Sequence, residues 1–101
     1  MKTRFIVLQA KGPSWDPTRL RREQALWDEH AAFMDQLTAD GFVVLGGPLG
    51  EGDGDDALLV IDAPDEDTIT STFKNDPWIK AGILQIRSIQ RWTIFLESEK
   101  E

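Results

Sequence analysis

Residues 42–61 read Phe42-Val43-Val44-Leu45-Gly46-Gly47-Pro48-Leu49-Gly50-Glu51-Gly52-Asp53-Gly54-Asp55-Asp56-Ala57-Leu58-Leu59-Val60-Ile61, and this stretch decides the fold. Two apolar runs of strand length flank a segment of glycines and aspartates, the residue types that suit a chain reversal. The pattern predicts a hairpin. Its first arm is Phe42-Val43-Val44-Leu45, continuing through Gly46-Gly47-Pro48-Leu49. Its turn is Gly50 to Asp56, and its second arm runs from Ala57 to Asp62.

The flanking sequence completes the order. Upstream, Gly41 ends a helical stretch that Asp16-Pro17 opens, with Asp as the cap and Pro pre-set for the first helical position. Before it lie a loop, Lys11-Gly12-Pro13-Ser14-Trp15, and a first strand, Phe5-Ile6-Val7-Leu8. Downstream, Pro64-Asp65-Glu66-Asp67 opens a second helix, with acidic groups where the helix dipole favours them. Ile69 and Phe73 give it an apolar stripe. Asp76-Pro77 signals a short extra turn, and a last strand falls within Ile83 to Leu96. Its alternation slips near Ser88-Ile89, which predicts a bulge. The order β-α-β-β-α-β predicts an α+β, ferredoxin-like antiparallel sheet with both helices on one face.

A sheet with one wet face alternates apolar and polar residues. Phe5 to Leu8, Phe42 to Leu45 and Leu58 to Ile61 are instead continuous apolar runs, so both faces call for burial. The helices cover one. A second copy of the sheet is the expected cover for the other, giving a homodimer through the open face, a dimeric α/β barrel.

The first helix carries an anomaly. With Trp27 at zero, Leu20, Ala31, Met34, Leu37 and Leu26 fall at roughly 20°, 40°, 340°, 280° and 260°. His30 falls at roughly 300° and Glu23 at roughly 320°, inside this apolar arc. Buried ionisable groups need partners. His30 reads either as a core histidine satisfied by a carbonyl or as an imidazole facing a cavity. Glu23, nearer the helix start, reads as a cap or salt-bridge partner, or as a cavity group. The topology lets Trp15, Glu23, His30, Gly46, Gly47, Asp76 and Trp78 approach one mouth.

Composition bounds the partners. The 101 residues suit a single domain spanning 1–101, with 41% hydrophobic and 29% charged residues. There is no cysteine, which leaves no disulfide framework and no thiolate chemistry. The net charge of −7 and scattered basic residues argue against nucleic acid. The Phe5–Leu8 run is too short for a signal core or a membrane span, so the cytoplasm is the expected compartment. One histidine and scattered carboxylates make a poor metal site, and no cofactor is expected. Asp53, Asp55 and Asp56 lack the spacing of a calcium loop.

Four features together resemble the YCII-related domain family: His30 within Asp28-Glu29-His30-Ala31-Ala32-Phe33, the strand-end Gly46-Gly47-Pro48-Leu49, Asn75-Asp76-Pro77-Trp78 after the second helix, and a last strand ending near Arg91-Trp92. The resemblance implies a ferredoxin-like subunit that dimerises through its sheet. It also implies a His and Asp pair as active site, which here would be His30 and Asp76. Some relatives are similar to enzymes that remove chloride from chlorinated aromatic intermediates.

Such a pair is an acid–base unit, because imidazole exchanges protons near neutral pH and a carboxylate fixes its tautomer. No serine sits in an elbow motif, so covalent acyl transfer is disfavoured. A lyase or isomerase acting on a small carbonyl or aromatic-derived compound fits better. Asp76 also reads as a cap before Pro77, alone or as cap and histidine partner together. Gly46-Gly47 reads as a close approach to a ligand or as a bulge. Trp15 and Trp78 read as core or as pocket walls. The alternative to an enzyme is a non-catalytic small-molecule binding or regulatory module; a third reading is a purely structural dimer.

Overall fold

The computed structural model describes residues 2–51 and 56–100. Strands β1 (Lys2–Lys11), β2 (Val43–Pro48), β3 (Asp56–Ile61) and β4 (Leu84–Ile94) form one antiparallel sheet in the order β2-β3-β1-β4. Helices α1 (Trp27–Ala39), α2 (Glu66–Phe73) and α3 (Pro77–Lys80) complete the described elements, with a 3₁₀ turn at Arg21–Glu23. This is the ferredoxin-like α+β arrangement expected from the sequence. Of the hairpin turn, Gly52-Asp53-Gly54-Asp55 lies outside the described residues.

Register sorts the side chains. Phe5 opposite Ile61 and Val7 opposite Leu59 point to the helices. With Val43, Ile69 and Phe73 they form a core in which Val7, Ile61, Ile69 and Phe73 are fully buried. Full burial of such a side chain stabilises by about 1.5–3 kcal/mol. From α1, Phe33, Met34 and Leu37 pack against this core. The intervening pairs, Ile6 opposite Val60 and Leu8 opposite Leu58, belong to the other face. Ile6 and Leu8 are half-buried there, Leu45 is 68% exposed and Trp92 is 40% exposed. The continuous apolar runs thus leave apolar surface on the face without helices.

α2 starts where its residues dictate. The Asp65 carboxyl accepts from the Thr68 N–H at 2.8 Å and from its hydroxyl at 2.7 Å. Those two bonds hold the carboxyl below the usual carboxylate range. Gly41 ends α1 with φ of 81°, and the Phe42 N–H bonds back to the Leu37 carbonyl. The register shift between β1 and β4 comes at Leu8/Gln9, where Ser88 and Ile86 are successive partners and Arg87 is the extra residue.

One expectation fails. The helix opened by Asp16-Pro17 does not form; α1 begins at Trp27. Asp and Pro also occupy the first two positions of a β-turn, and that is the outcome: the Arg19 N–H bonds to the Asp16 carbonyl. The Asp16 carboxyl accepts from the Thr18 hydroxyl and N–H, which lower its pKa. The buried Gln24 amide then accepts from the Asp16 N–H and donates to the Asp16 and Arg19 carbonyls. Side chains satisfy the backbone locally, and the segment has no need of a helix. Leu20 and Leu26 consequently lie exposed rather than on a buried stripe. Among the described residues, no helix is long and apolar enough to cross a membrane.

Candidate active site

His30 sits one turn into α1 and is 7% exposed. Its N–H bonds to the carbonyl of Leu26, a residue held in the left-handed region at φ 63°. Asp76, fully buried, approaches from the turn between α2 and α3. Its Oδ1 accepts from the Trp78 N–H at 2.9 Å, capping α3. His30 Nδ1 lies 2.9 Å from the same oxygen and 3.1 Å from Oδ2. With Asp76 ionised, both of its oxygens accept, so Nδ1 donates. In the neutral ring this leaves Nε2 with a lone pair. Asp76 is therefore cap and histidine partner together.

The ring is held on its face as well. The Trp78 indole stacks on His30 with centroids 4.0 Å apart and planes 5° apart. Trp78 Nε1 donates to the Ala25 carbonyl at 2.7 Å, tying α3 to the turn that precedes α1. Trp27 and Trp15 pack on Trp78 at 5.6 Å and 5.8 Å. Rotation of the imidazole thus meets two oxygens on its edge and an indole on its face.

His30 lines a cavity of about 480 Å³ between α1 and the β2–β3 side of the sheet. Gly46 and Gly47 line it too, with Val43 and Leu59 beside them. At Gly46 an added Cβ would come within 2.5 Å of Leu59 Cδ2, whereas at Gly47 it would meet nothing. His30 Nε2 has no hydrogen-bond partner among the described residues, and its ring borders this space.

The sequence candidates separate accordingly. His30, Gly46 and Gly47 reach the cavity. Asp76 and Trp78 touch His30 from behind, and Trp15 touches only Trp78 of this group. Glu23 is a correction: it is exposed in the 3₁₀ turn, and its carboxyl caps the Leu20 N–H at 2.9 Å. The helical wheel failed for it because the helix does not extend that far. Sequence reasoning missed Gln9, Arg21, Trp27, Met34 and Thr38, which also line the cavity. Gln9 had left a signal: it is the polar residue at the helix-facing place after Phe5 and Val7. Arg21 had none, because a loop brings it there. Among the described residues, no group of three or more His, Cys, Asp or Glu converges as a metal would require.

No curated protein matches the chain. Among solved structures, it resembles 5-chloro-2-hydroxyhydroquinone dehydrochlorinase from Burkholderia phenoliruptrix AC1100, in complex with 2,5-dihydroxybenzoquinone. Identity is 24% with a TM-score of 0.59, over 90% of this chain and 93% of that one, a likeness of fold. The model of the YCII-related domain matches residues 5–93, nearly the whole chain, and this protein belongs to the YCII-related domain family.

Proposed function

We propose that this protein is a cofactor-free enzyme of lyase, isomerase or dehydrochlorinase type that uses His30 and Asp76 as a general acid–base pair on a small carbonyl or aromatic-derived metabolite. The observation that carries the reading is the 2.9 Å bond from Nδ1 to Asp76, with the same ring bordering a cavity. Asp76 holds the tautomer, and Nε2 takes a proton beside a carbonyl; the electrons left behind expel a leaving group or shift a double bond. Returned from Nε2, that proton completes an isomerisation; in an elimination it leaves to solvent. Proton transfer by a positioned side chain contributes roughly 10²–10⁴-fold in rate. Membership of the family and the fold shared with a dehydrochlorinase support the choice of chemistry. The open face of the sheet, with Leu45 and Trp92 exposed, supports a homodimer as the working unit.

The test uses chloride release from 5-chloro-2-hydroxyhydroquinone, the compound that names the similar enzyme, alongside its unchlorinated counterpart. Turnover by the native protein, falling about 10²-fold or more in His30→Ala, is the expected result. Full turnover by a folded His30→Ala variant would falsify the proposal. Binding without turnover in the native protein would replace it with a ligand-holding module.

A further inference from the structure

Gln9 lies on β1 beneath α1, 3% exposed, and borders the same cavity as His30. Its neighbours across the sheet, Ala57 and Ile86, offer side chains that cannot hydrogen-bond. Its Nε2 is shut off from solvent and has no hydrogen-bond partner among the described residues. A native chain rarely leaves a buried amide unmatched, because desolvation without a partner is costly. Apolar residues of the same shape would pack there without that cost. An unmatched amide at a cavity wall is what a ligand-binding site holds in reserve for its ligand.

The charge around the cavity adds a second constraint. The chain as a whole is at −7. Yet among the described residues the cavity is bordered by Arg21 and by no Asp or Glu. Arg21 rests its guanidinium over the Trp15 ring, 5.2 Å from the centroid. Most of the remaining wall is apolar, including Val43, Leu59 and Trp27. A volume of about 480 Å³ has room for one substituted ring or a short chain.

We infer that Gln9 is a specificity-determining residue, whose amide binds an oxygen of a small organic anion (a carboxylate, enolate or phenolate) with the negative charge turned toward Arg21. The inference rests on the reading of His30 as the acid–base group and adds the class of substrate. A turn of the Gln9 amide about its last side-chain bond brings Nε2 from its sealed place to the cavity floor, where it fixes one oxygen while Nε2 of His30 works on a neighbouring atom.

The experiment titrates the native protein by calorimetry with 2,5-dihydroxybenzoquinone and benzoate as anionic probes and benzyl alcohol as the neutral control. Native protein should bind at least one anion, and more tightly than the alcohol. Gln9→Leu and Gln9→Met should each weaken anion binding about tenfold or more, while melting at or above the native temperature. The Gln9 side-chain amide pair in a ¹H–¹⁵N spectrum of the native protein should shift on binding. Unchanged affinity in both variants overturns the inference. So does a lowered melting temperature in both, which would mark a structural amide, or a native protein that takes neither anion. The two readings fail separately. Gln9 variants that bind like native, beside an inactive His30→Ala, sink only the role of Gln9. Full turnover in His30→Ala sinks only the acid–base pair.

Discussion

Asp76 shares one oxygen between two donors, the Trp78 N–H and His30 Nδ1. Removing the carboxyl strands both in a buried place. Asp76→Ala should therefore destabilise the fold by about 2–5 kcal/mol, measured by denaturant unfolding. Asp76→Asn keeps an oxygen for the cap and should destabilise less. On the proposed chemistry it should still lose roughly 10²–10⁴-fold in turnover, because the amide no longer fixes the tautomer. Equal stability losses in the two variants would show that the shared oxygen matters little. His30 was legible in the sequence because an ionisable residue stood within an apolar stripe that the helix confirms. Glu23 looked alike on the same wheel, yet its carboxyl caps a 3₁₀ turn. Periodicity assumes a helix and cannot detect where one begins. Asp76 as partner of His30 came from the family resemblance, since 46 residues of chain separate the two.

At the scale of elements, the start of α1 is the strained point. Leu26 occupies the left-handed region at φ 63°, which costs a non-glycine residue about 1–2 kcal/mol. It sits at the N-cap with no side-chain bond and is 43% exposed, so leucine contributes little there. Asn tolerates that conformation and caps helices. Leu26→Asn should stabilise by about 1 kcal/mol, raising the melting temperature about 4–8 °C; a lower value would mean that Leu26 packs on something that matters. The Asp65 cap gives a pH prediction. Its carboxyl is held below its ordinary value by the Thr68 hydroxyl and N–H. Its contribution is present above that ordinary value and is lost as pH falls through the lowered folded value. The stability gap between native and Asp65→Asn should therefore narrow on acidification, followed by circular dichroism; a gap constant across that range would contradict the assignment. Most elements were legible because caps, prolines and glycines mark them. The stretch before Trp27 was not, because Asp16-Pro17 suits a turn as well as a helix and Gln24 decides between them from eight residues away.

For the whole molecule, the β-α-β-β-α-β order was legible once the hairpin was read, and the strand order β2-β3-β1-β4 follows it. The cavity was not, because its wall draws on β1, α1, β2 and the loop carrying Arg21, and only the folded chain brings these together. The same holds for the unmatched amide of Gln9. On the outer face, Leu45, Trp92 and Leu96 are exposed apolar groups, the kind of patch that marks an interaction surface. If a second copy covers that face, the native protein should sediment at twice the chain mass. Leu45→Glu with Trp92→Glu should then return it to a monomer with the same helical content. A native protein that sediments as a monomer at tens of micromolar would refute the dimer.

The claim that an aspartate-held imidazole turns Nε2 toward the cavity is open to one direct reading. His30 is the chain's single histidine, so its ring signals in a long-range ¹H–¹⁵N spectrum identify themselves. In the neutral ring, the account predicts a protonated Nδ1 and a bare Nε2 with a pyridine-type shift. A proton on Nε2, or two tautomers in fast exchange, would contradict it.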